Sequence, residues 1–231
     1  MFEQLTFTNE KEEQEKQEFK KYLSLKGKYL YKHVYDILLE KNKGTVSYQE
    51  LSSLIRYDKN LRDTLYIYLA TCEEYLRALL LKSYYVASDS PKFEQHCYKP
   101  LIDALKDKDD LSKSNLYFKL DIDLSILIRI CQEKGLININ IQDRKYIKTL
   151  RNHTMHHAML LLGQANNLEE VHANFNVLEK QLNALLYLIP QEYQVGFIDS
   201  INKLNGTGKK KFLQEFYLEY EDDKLHIKTN N

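Results

Sequence analysis

The sequence predicts an all-α protein. The chain has 231 residues but only seven glycines and three prolines, fewer turn residues than the many short strands of an all-β protein would need. Hydrophobic residues make up 43% of the chain, which is enough for a buried core and disfavours wholesale disorder. Several segments also place their apolar residues at the three- and four-residue spacing of helices that bury one face.

The charge balance and the cysteines limit the classes of function. Lys+Arg and Asp+Glu both number 33, and this neutrality disfavours extensive non-specific binding of nucleic acid, although it allows a local basic cleft. Cys72, Cys97 and Cys131 are far apart and odd in number, so we expect reduced structural thiols and no disulfide or zinc knuckle. No signal peptide and no membrane span are predicted, and we expect a soluble cytoplasmic protein.

The first part of the chain is predicted to form short helices. Residues 9–24 are rich in Glu and Lys and indicate a solvated helix or a frayed arm. Residues 28–41 have apolar residues at helical spacing, and Gly44 ends the run. Ser47 followed by Glu50 is typical of a capping box at the start of a short helix. This helix could be half of a helix-turn-helix, but it has no basic recognition face, so DNA recognition is disfavoured.

Residues 61–86 predict a helix that is buried on every side, because it is apolar almost all round from Leu65 to Leu81. Its main interruptions are Glu73, Glu74 and Arg77. Since burying an unpaired charge is costly, we expect at least one of these three residues to be paired. Glu73 and Arg77 are one helical turn apart and are the nearest candidates, and another buried charge is the alternative.

The second half of the chain is predicted to alternate helices with connectors. Residues 87–115 contain two prolines and a charged run, which indicate a loop with a short helix and a place for an insertion. The stretch LININIQD alternates in polarity but is brief, and it is interpreted as a connector. The tail contains NGTGKKKF, which lacks the spacing and the preceding strand of a phosphate-binding loop, and then another helix. Further helices are predicted at residues 116–134 (closed by Gly135), 142–162, 167–189 (stopped by Pro190) and 192–203.

The segment RKYIKTLRNHTMHH carries the candidate catalytic residues. Three of the seven histidines lie within five residues of one another, which is unusual for a helix that only packs in a core. The apolar stripe of the same helix is expected to face inward. The polar residues crowded into these two turns are Arg151, Asn152, His153, His156 and His157.

Arg151 and His156 have the chemistry that metal-free RNA cleavage requires. The ribose 2′-OH must lose a proton and the 5′ leaving oxygen must gain one, and histidine suits both transfers because its ordinary pKa is about 6.5. The phosphorane gains negative charge, which the arginine fork stabilises. One copy supplies one such histidine, so a symmetric dimer would supply both acid and base. Asn152 is predicted to share a helical face with His156, to orient it or to hold a phosphate oxygen.

Other interpretations of these residues stay open. An Arg and a His five residues apart occur by chance in many helical proteins. His153 and His157 could bind a metal, but no HExxH glutamate and no third ligand accompany them, so neither a metal nor another cofactor is expected. The 18 tyrosines could stack on bases, but their spacing beside Leu and Ile favours packing in the core.

Two segments resemble a known family. LRNHTMHH resembles the Arg-(four residues)-His signature of HEPN domains, with Asn after the Arg as in many ribonuclease members. The earlier segment YDKNLRDTLYIYLATCEEYLRALL is similar to the first long helix of the abortive-infection (AbiD/AbiF-like) branch. Together the matches span about residues 56–162. The residues that match the earlier pattern are Asp58, Leu61, Arg62, Glu73, Leu76 and Arg77.

The resemblance implies a HEPN-like helical bundle with extra N- and C-terminal helices. The predicted core covers residues 46–190, between extensions at 1–45 and 191–231. The resemblance also implies a homodimer that cleaves RNA without a metal, in phage defence or in a toxin system, with an antitoxin or a structured RNA as a further partner. The alternative is a non-catalytic RNA-binding or protein-interaction module with the same fold.

The resemblance also assigns roles to residues. Arg151 would contact the scissile phosphate, His156 would transfer protons and Asn152 would assist them. The supporting residues would be Glu73, His157 and His153.

Overall fold

The computed structural model describes residues 2–86, 123–207 and 216–229. These residues are mostly helical, so the predicted all-α class is confirmed. The helices are α1 (Glu12–Lys26), α2 (Lys28–Lys41), α3 (Tyr48–Val86), α4 (Leu124–Glu133), α5 (Ile141–Met155), α6 (Leu168–Leu188) and α7 (Gln191–Thr207), with a 3-10 turn at Asn9–Lys11. The strands are β1 (Leu5–Thr6), β2 (Val46–Ser47), β3 (Phe216–Glu221) and β4 (Lys224–Thr229). The predictions for residues 87–115, Cys97, residues 116–122 and most of NGTGKKKF lie outside the described residues.

The chain forms two compact units, each assembled from distant segments of the sequence. Unit 1 contains Met1–Leu65, His153–Glu179 and Gly196–Asn231, and unit 2 contains Tyr66–Asn152 and Lys180–Val195. The unit boundaries fall within α3, α5, α6 and α7. The division into three consecutive segments that the sequence predicts stays a prediction.

The N-terminal segment of unit 1 is tied to the start of α3. β1 pairs in parallel with β2, with Leu5 opposite Val46. Glu15 of α1 is buried, and its carboxylate accepts hydrogen bonds from the backbone N–H of Thr8 at 2.9 Å and from Nε2 of Gln49 at 2.8 Å. A carboxylate tolerates burial when donors surround it. The rest of α1 is largely exposed, as expected for a solvated helix.

An aromatic cluster packs beside this contact. Neighbouring rings lie 5.2 to 6.3 Å apart between centroids, mostly edge to face, which is a favourable arrangement for aromatic quadrupoles. Burial raises the pKa of Tyr48 to about 12, so its phenol stays neutral. The cluster agrees with the prediction that many tyrosines serve in the core. Its members are Phe2, Phe7, Phe19, Tyr31, Tyr35 and Tyr48.

The predicted capping box begins α3, but the helix is much longer than predicted. Oγ of Ser47 accepts the backbone N–H of Glu50 at 3.2 Å, and Oε2 of Glu50 accepts the backbone N–H of Ser47 at 3.1 Å. α3 then runs for 39 residues without interruption. The prediction of a separate short helix, which suggested a helix-turn-helix, was therefore wrong. No Gly or Pro lies within α3 to end it.

α3 buries one face in unit 2 rather than its whole circumference. Tyr66 is 54% exposed and Ile67 is 61% exposed, so the expected burial on every side was wrong. The buried hydrophobic residues follow the i, i+3, i+4 spacing of a single face, and they are Leu69, Cys72, Leu76 and Leu80. Neither α3 nor any other described helix is long and apolar enough to span a bilayer.

The helices of the second half mostly follow the predicted pattern. α4 ends as predicted, because Gly135 adopts a φ of 68° and the backbone N–H of Leu136 donates to the Cys131 carbonyl at 2.9 Å. The stretch after it is a connector, and α5 starts where Oδ1 of Asn140 accepts the backbone N–H of Asp143 at 2.8 Å. α6 and α7 agree with the predicted helices except for the longer C-terminal end of α7.

Two buried thiols in unit 2 fit the prediction of reduced, structural cysteines. Cys72 and Cys131 are free and buried, and burial raises the pKa of each thiol to about 12. Sγ of Cys131 donates to the carbonyl of Leu76 at 3.7 Å. Thiols with so high a pKa are poor nucleophiles at neutral pH, so these two cysteines contribute packing and no reactive group.

The C-terminal tail forms a β-hairpin, so the helix predicted there was wrong. β3 pairs antiparallel with β4 through a two-residue turn at Asp222 and Asp223, which have φ of 50° and 60°. Two successive positive φ values are typical of a type I′ turn. Leu218 and Leu225 are buried, while Glu219, Lys224 and His226 beside them are not. This two-residue alternation was the strand signal in the sequence.

The capping box predicts a measurable contribution to stability. Ser47→Ala removes the acceptor for the Glu50 amide and should lower the free energy of unfolding by about 0.5–2 kcal/mol, measured by urea denaturation. Thr45→Ala, an exposed position in the same loop, should change it by less than about 0.5 kcal/mol. An equal loss in both variants would contradict a specific capping role.

Candidate functional site

The helix that carries the candidate residues ends earlier than predicted. α5 stops at Met155, whereas the sequence predicted a helix to residue 162. His156 and His157 form the turn that follows, with His157 at a φ of 57° and the backbone N–H of Ala158 donating to the His153 carbonyl at 2.9 Å. The left-handed region ends a helix. The expectation that Asn152 and His156 share a helical face stays a prediction, and the structure places His156 one residue beyond the end of the helix.

The reason lies in the segment after the turn. Four consecutive residues, Met159 to Leu162, are all buried, from 8% exposed at Met159 to 0% at Leu162. A helix at the surface buries one face and could not enclose four residues in a row. Gly163 then reverses the chain with a φ of 56°, and a Cβ there would lie 2.9 Å from Nδ2 of Asn174. This apolar run before a glycine was the sequence signal for the end of the helix.

A buried carboxylate of α3 holds this segment within unit 1. Asp58 is fully buried, and its Oδ1 accepts the backbone N–H groups of Leu160 at 2.7 Å and Leu161 at 3.0 Å. Its Oδ2 accepts a hydrogen bond from Nε of Arg62 at 2.8 Å. A terminal nitrogen of Arg62 donates to the carbonyl of His157 at 3.0 Å. We call these four hydrogen bonds the Asp58–Arg62 clamp.

The hydrogen bonds of the clamp offset the free-energy cost of burying the Asp58 carboxylate. Burial raises the pKa of the Asp58 carboxyl, and the opposing contributions come from the Leu161 amide, the Arg62 charge and the Leu160 amide. Both oxygens are engaged, so the carboxylate leaves no lone charge in the core. Removing the Asp58 carboxylate would leave the Leu160 and Leu161 amides and the Nε of Arg62 without their acceptor. The position of the histidine turn therefore depends on Asp58.

The three histidines of the motif are open to a ligand. His153, on the last turn of α5, and His156 and His157 beyond it are all exposed. Their rings form no hydrogen bond or ion pair with residues 2–86, 123–207 or 216–229. His157 takes part in the clamp through its carbonyl only. The structure therefore presents three imidazoles whose ring nitrogens are available.

Arg151 and Asn152 are half-buried residues of α5 in unit 2. Nε of Arg151 is buried and donates to none of the residues that the structure describes. Its charge acts on Asp123, the N-cap of α4: burial raises the pKa of that carboxyl, but hydrogen bonds from Ile126 and Ser125 and the charge of Arg151 together hold it below its usual range. The charge of Arg151 therefore acts on the Asp123 carboxylate, while its Nε has no acceptor among the described residues.

Glu73 is engaged on its own helix. Its Oε1 accepts a hydrogen bond from Arg77 at 2.7 Å, with the Arg77 side chain 8% exposed and the Glu73 side chain 30% exposed. This confirms the expectation that one of the charged residues on this helix is paired, and the pair is the predicted one. Glu74 is exposed. The supporting role of Glu73 at a reaction centre stays a prediction.

The described residues offer no ready metal site. Within that part of the chain, no three His, Cys, Asp or Glu side chains come together as ligands. His153 lies on the last turn of α5 and His157 lies beyond it with a φ of 57°, so they are not two positions of one continuous helix.

A basic groove in unit 2 was missed by the sequence analysis. It has a volume of about 230 Å³ and is lined by residues of α4 and α5. Four of its six lining residues are cationic, and the signal for it in the sequence was the run RKYIKTLR. The lining residues are Ser125, Ile126, Arg129, Arg144, Lys145 and Lys148.

A larger cleft in the same unit has a different character. Its volume is about 540 Å³, and the connector before α5 and the segment Tyr187–Gln191 line most of it. Asp143 is the only charged side chain in this lining, and it is hydrogen bonded to Asn140 at the start of α5. None of the candidate catalytic residues lines this cleft.

Comparison of the chain with protein-family models, with curated proteins and with solved structures finds no match. The family that the two segments resemble therefore stays a prediction.

The clamp predicts that Asp58 is essential for stability although it lies outside the motif. Asp58→Ala should lower the free energy of unfolding by about 3–5 kcal/mol, because it leaves Arg62 and two amides without their acceptor. The matched control is Asp63→Ala, which removes an exposed carboxylate paired with Lys59 on the same helix and should cost less than about 1 kcal/mol. Similar losses in urea denaturation of both variants would refute the clamp.

Proposed function

We propose that the chain is a metal-independent endoribonuclease in which Arg151 and His156 carry out the reaction. The observation that supports this most is that their polar groups have no partner in the described chain. The His156 ring is exposed and unbonded among the described residues, and the buried Nε of Arg151 donates to none of them. Residues kept only for packing use their polar atoms within the protein. Donors without a partner in the protein are suited to an anionic ligand.

The proposed reaction is an in-line transfer of the phosphoryl group. A histidine removes the proton from the ribose 2′-OH, the 2′ oxygen forms a bond to phosphorus, and the bond from phosphorus to the 5′ oxygen breaks. A second histidine donates a proton to the departing 5′ oxygen. Arg151 donates to the non-bridging oxygens, whose negative charge increases in the phosphorane. The products are a 2′,3′-cyclic phosphate and a free 5′-OH.

A homodimer supplies the second proton carrier in this proposal. His156 of one copy acts as the base and His156 of the other as the acid, which is the arrangement a two-fold axis provides. Asn152 assists by donating to a phosphate oxygen. His153 and His157 support the centre with further imidazoles, and Glu73 supports it by holding Arg77 in place.

The proposed setting is phage defence or a toxin system in the cytoplasm, in which cleavage of RNA arrests growth. The support for this setting is the likeness of residues 56–162 to the abortive-infection branch of the HEPN family. An antitoxin or a structured RNA is the partner that this setting implies.

The proposal predicts RNA cleavage that resists EDTA. Arg151→Ala and His156→Ala should each lower the cleavage rate by about 10²–10⁴-fold, because each removes a group that acts in the transition state. His172→Ala, which removes an exposed histidine of α6, should leave the rate unchanged. Cleavage is measured on a labelled RNA oligonucleotide, and an oligonucleotide with 2′-deoxy sugars should remain intact.

The controls separate catalysis from folding and contamination. All variants should keep the melting temperature and the oligomeric state of the wild type. Equal cleavage by every sample would assign the activity to another site or to a contaminant. Tight RNA binding without cleavage by the wild type would favour the non-catalytic RNA-binding module instead.

A further inference from the structure

The basic groove in unit 2 carries more positive charge than its surroundings neutralise. Arg129 lies 3.9 Å from Glu133, and both side chains are about half exposed, at 44% and 43%. Arg144 donates to the neutral Oε1 of Gln132 at 3.4 Å. Lys145 and Lys148, which are exposed, form no ion pair with the described residues. Since the whole chain has a formal net charge of zero, this excess of cations marks a local surface for an anion.

The groove continues toward Arg151 along one face of α5. Arg144, Lys148 and Arg151 are spaced i, i+4 and i+7, so they lie on the same side of the helix. Seven residues of helix span about 10 Å. A row of charges of this length can contact more than one group of an extended polyanion. Arg151 lies at the end of the row, less than one helical turn from Lys148.

We propose that the basic groove is a subsite for the RNA backbone, which holds phosphates beside the one that Arg151 contacts. The inference rests on the proposed function, and it adds the place where the strand lies. The ligand chemistry is a chain of phosphodiesters, because the groove offers cations at several points along a line. No aromatic side chain lines it, so it has no platform for stacking bases. The subsite therefore binds backbone and is indifferent to base sequence.

An acidic protein segment is the competing occupant. The alignment of the row with Arg151 favours RNA, since Arg151 is itself the residue with a free donor for a phosphate. The two uncharged lining residues favour neither RNA nor an acidic protein segment. The hydroxyl of Ser125 already donates to Asp123 at 2.8 Å, and Ile126 is apolar.

The test measures binding of a fluorescent single-stranded RNA by anisotropy over a range of salt concentrations. In the binding assay the full chain carries His156→Ala, so that bound RNA is not cleaved in the proposed reaction, and a parallel cleavage assay uses the same variants with His156 intact. Lys145→Gln combined with Lys148→Gln should weaken binding at least ten-fold and reduce the slope of log K against log salt by roughly 1.4, at about 0.7 for each lost phosphate contact. Lys20→Gln with Lys21→Gln removes the same charge from exposed positions of α1 and should leave both quantities unchanged.

The outcomes separate this inference from the proposed function. If chains with an intact His156 cleave RNA but the groove variant binds and cleaves like the α1 control, the subsite is overturned and the proposed function stands. If no sample cleaves but the groove variant alone loses affinity and salt dependence, the subsite is supported and the catalytic proposal fails. Unchanged RNA affinity with lost binding of poly-glutamate would overturn the subsite in favour of a protein-docking surface.

Discussion

The carboxylate of Asp58 connects the middle of α3 to the segment that follows the candidate catalytic residues. Its two oxygens accept hydrogen bonds from two consecutive backbone amides and from Arg62, and Arg62 continues to the carbonyl of His157. A helix ending at Met155 needs acceptors and donors for its last turn and for the chain beyond it. The clamp supplies them for the chain beyond the helix, at His157, Leu160 and Leu161. Within unit 1, the position of the segment after the histidine turn thus depends on a residue of α3.

Two groups of ionisable residues in the described chain differ in what surrounds them. Glu15, Asp58 and Arg77 are buried, and each is hydrogen bonded to neighbouring polar groups. Such residues stabilise one arrangement of helices, because a change in packing would leave a buried charge without its partner. Lys148 and His156 are exposed and lack such bonds among the described residues. Leaving exposed residues such as Lys148 and His156 unpaired costs the protein little free energy of folding. These exposed residues are the ones available to a ligand.

Helix propensity and residue spacing predicted part of the fold but did not predict the arrangement of the candidate site. The capping box at Ser47, the end of α4 at Gly135 and the Glu73–Arg77 pair each involve residues close in sequence, so propensity and spacing predicted them. The end of α5 depends on hydrogen bonds to a residue about 100 positions earlier, and its only local signal is the run of four apolar residues before Gly163. The residue types of the site were predictable from their chemistry. Their arrangement was not, because it is decided by tertiary contacts.

The distance along the chain between the two parts of the clamp has a consequence for synthesis. Asp58 and Leu160 are 102 residues apart, and ribosomes add about 5–20 residues per second. Roughly 5–20 seconds therefore pass between the synthesis of Asp58 and the synthesis of its amide partners. Until then Arg62, on the same helix, is the partner that can shield the carboxylate. The clamp therefore cannot form until residue 161 has been synthesised, and a shorter nascent chain holds Asp58 without its amide partners.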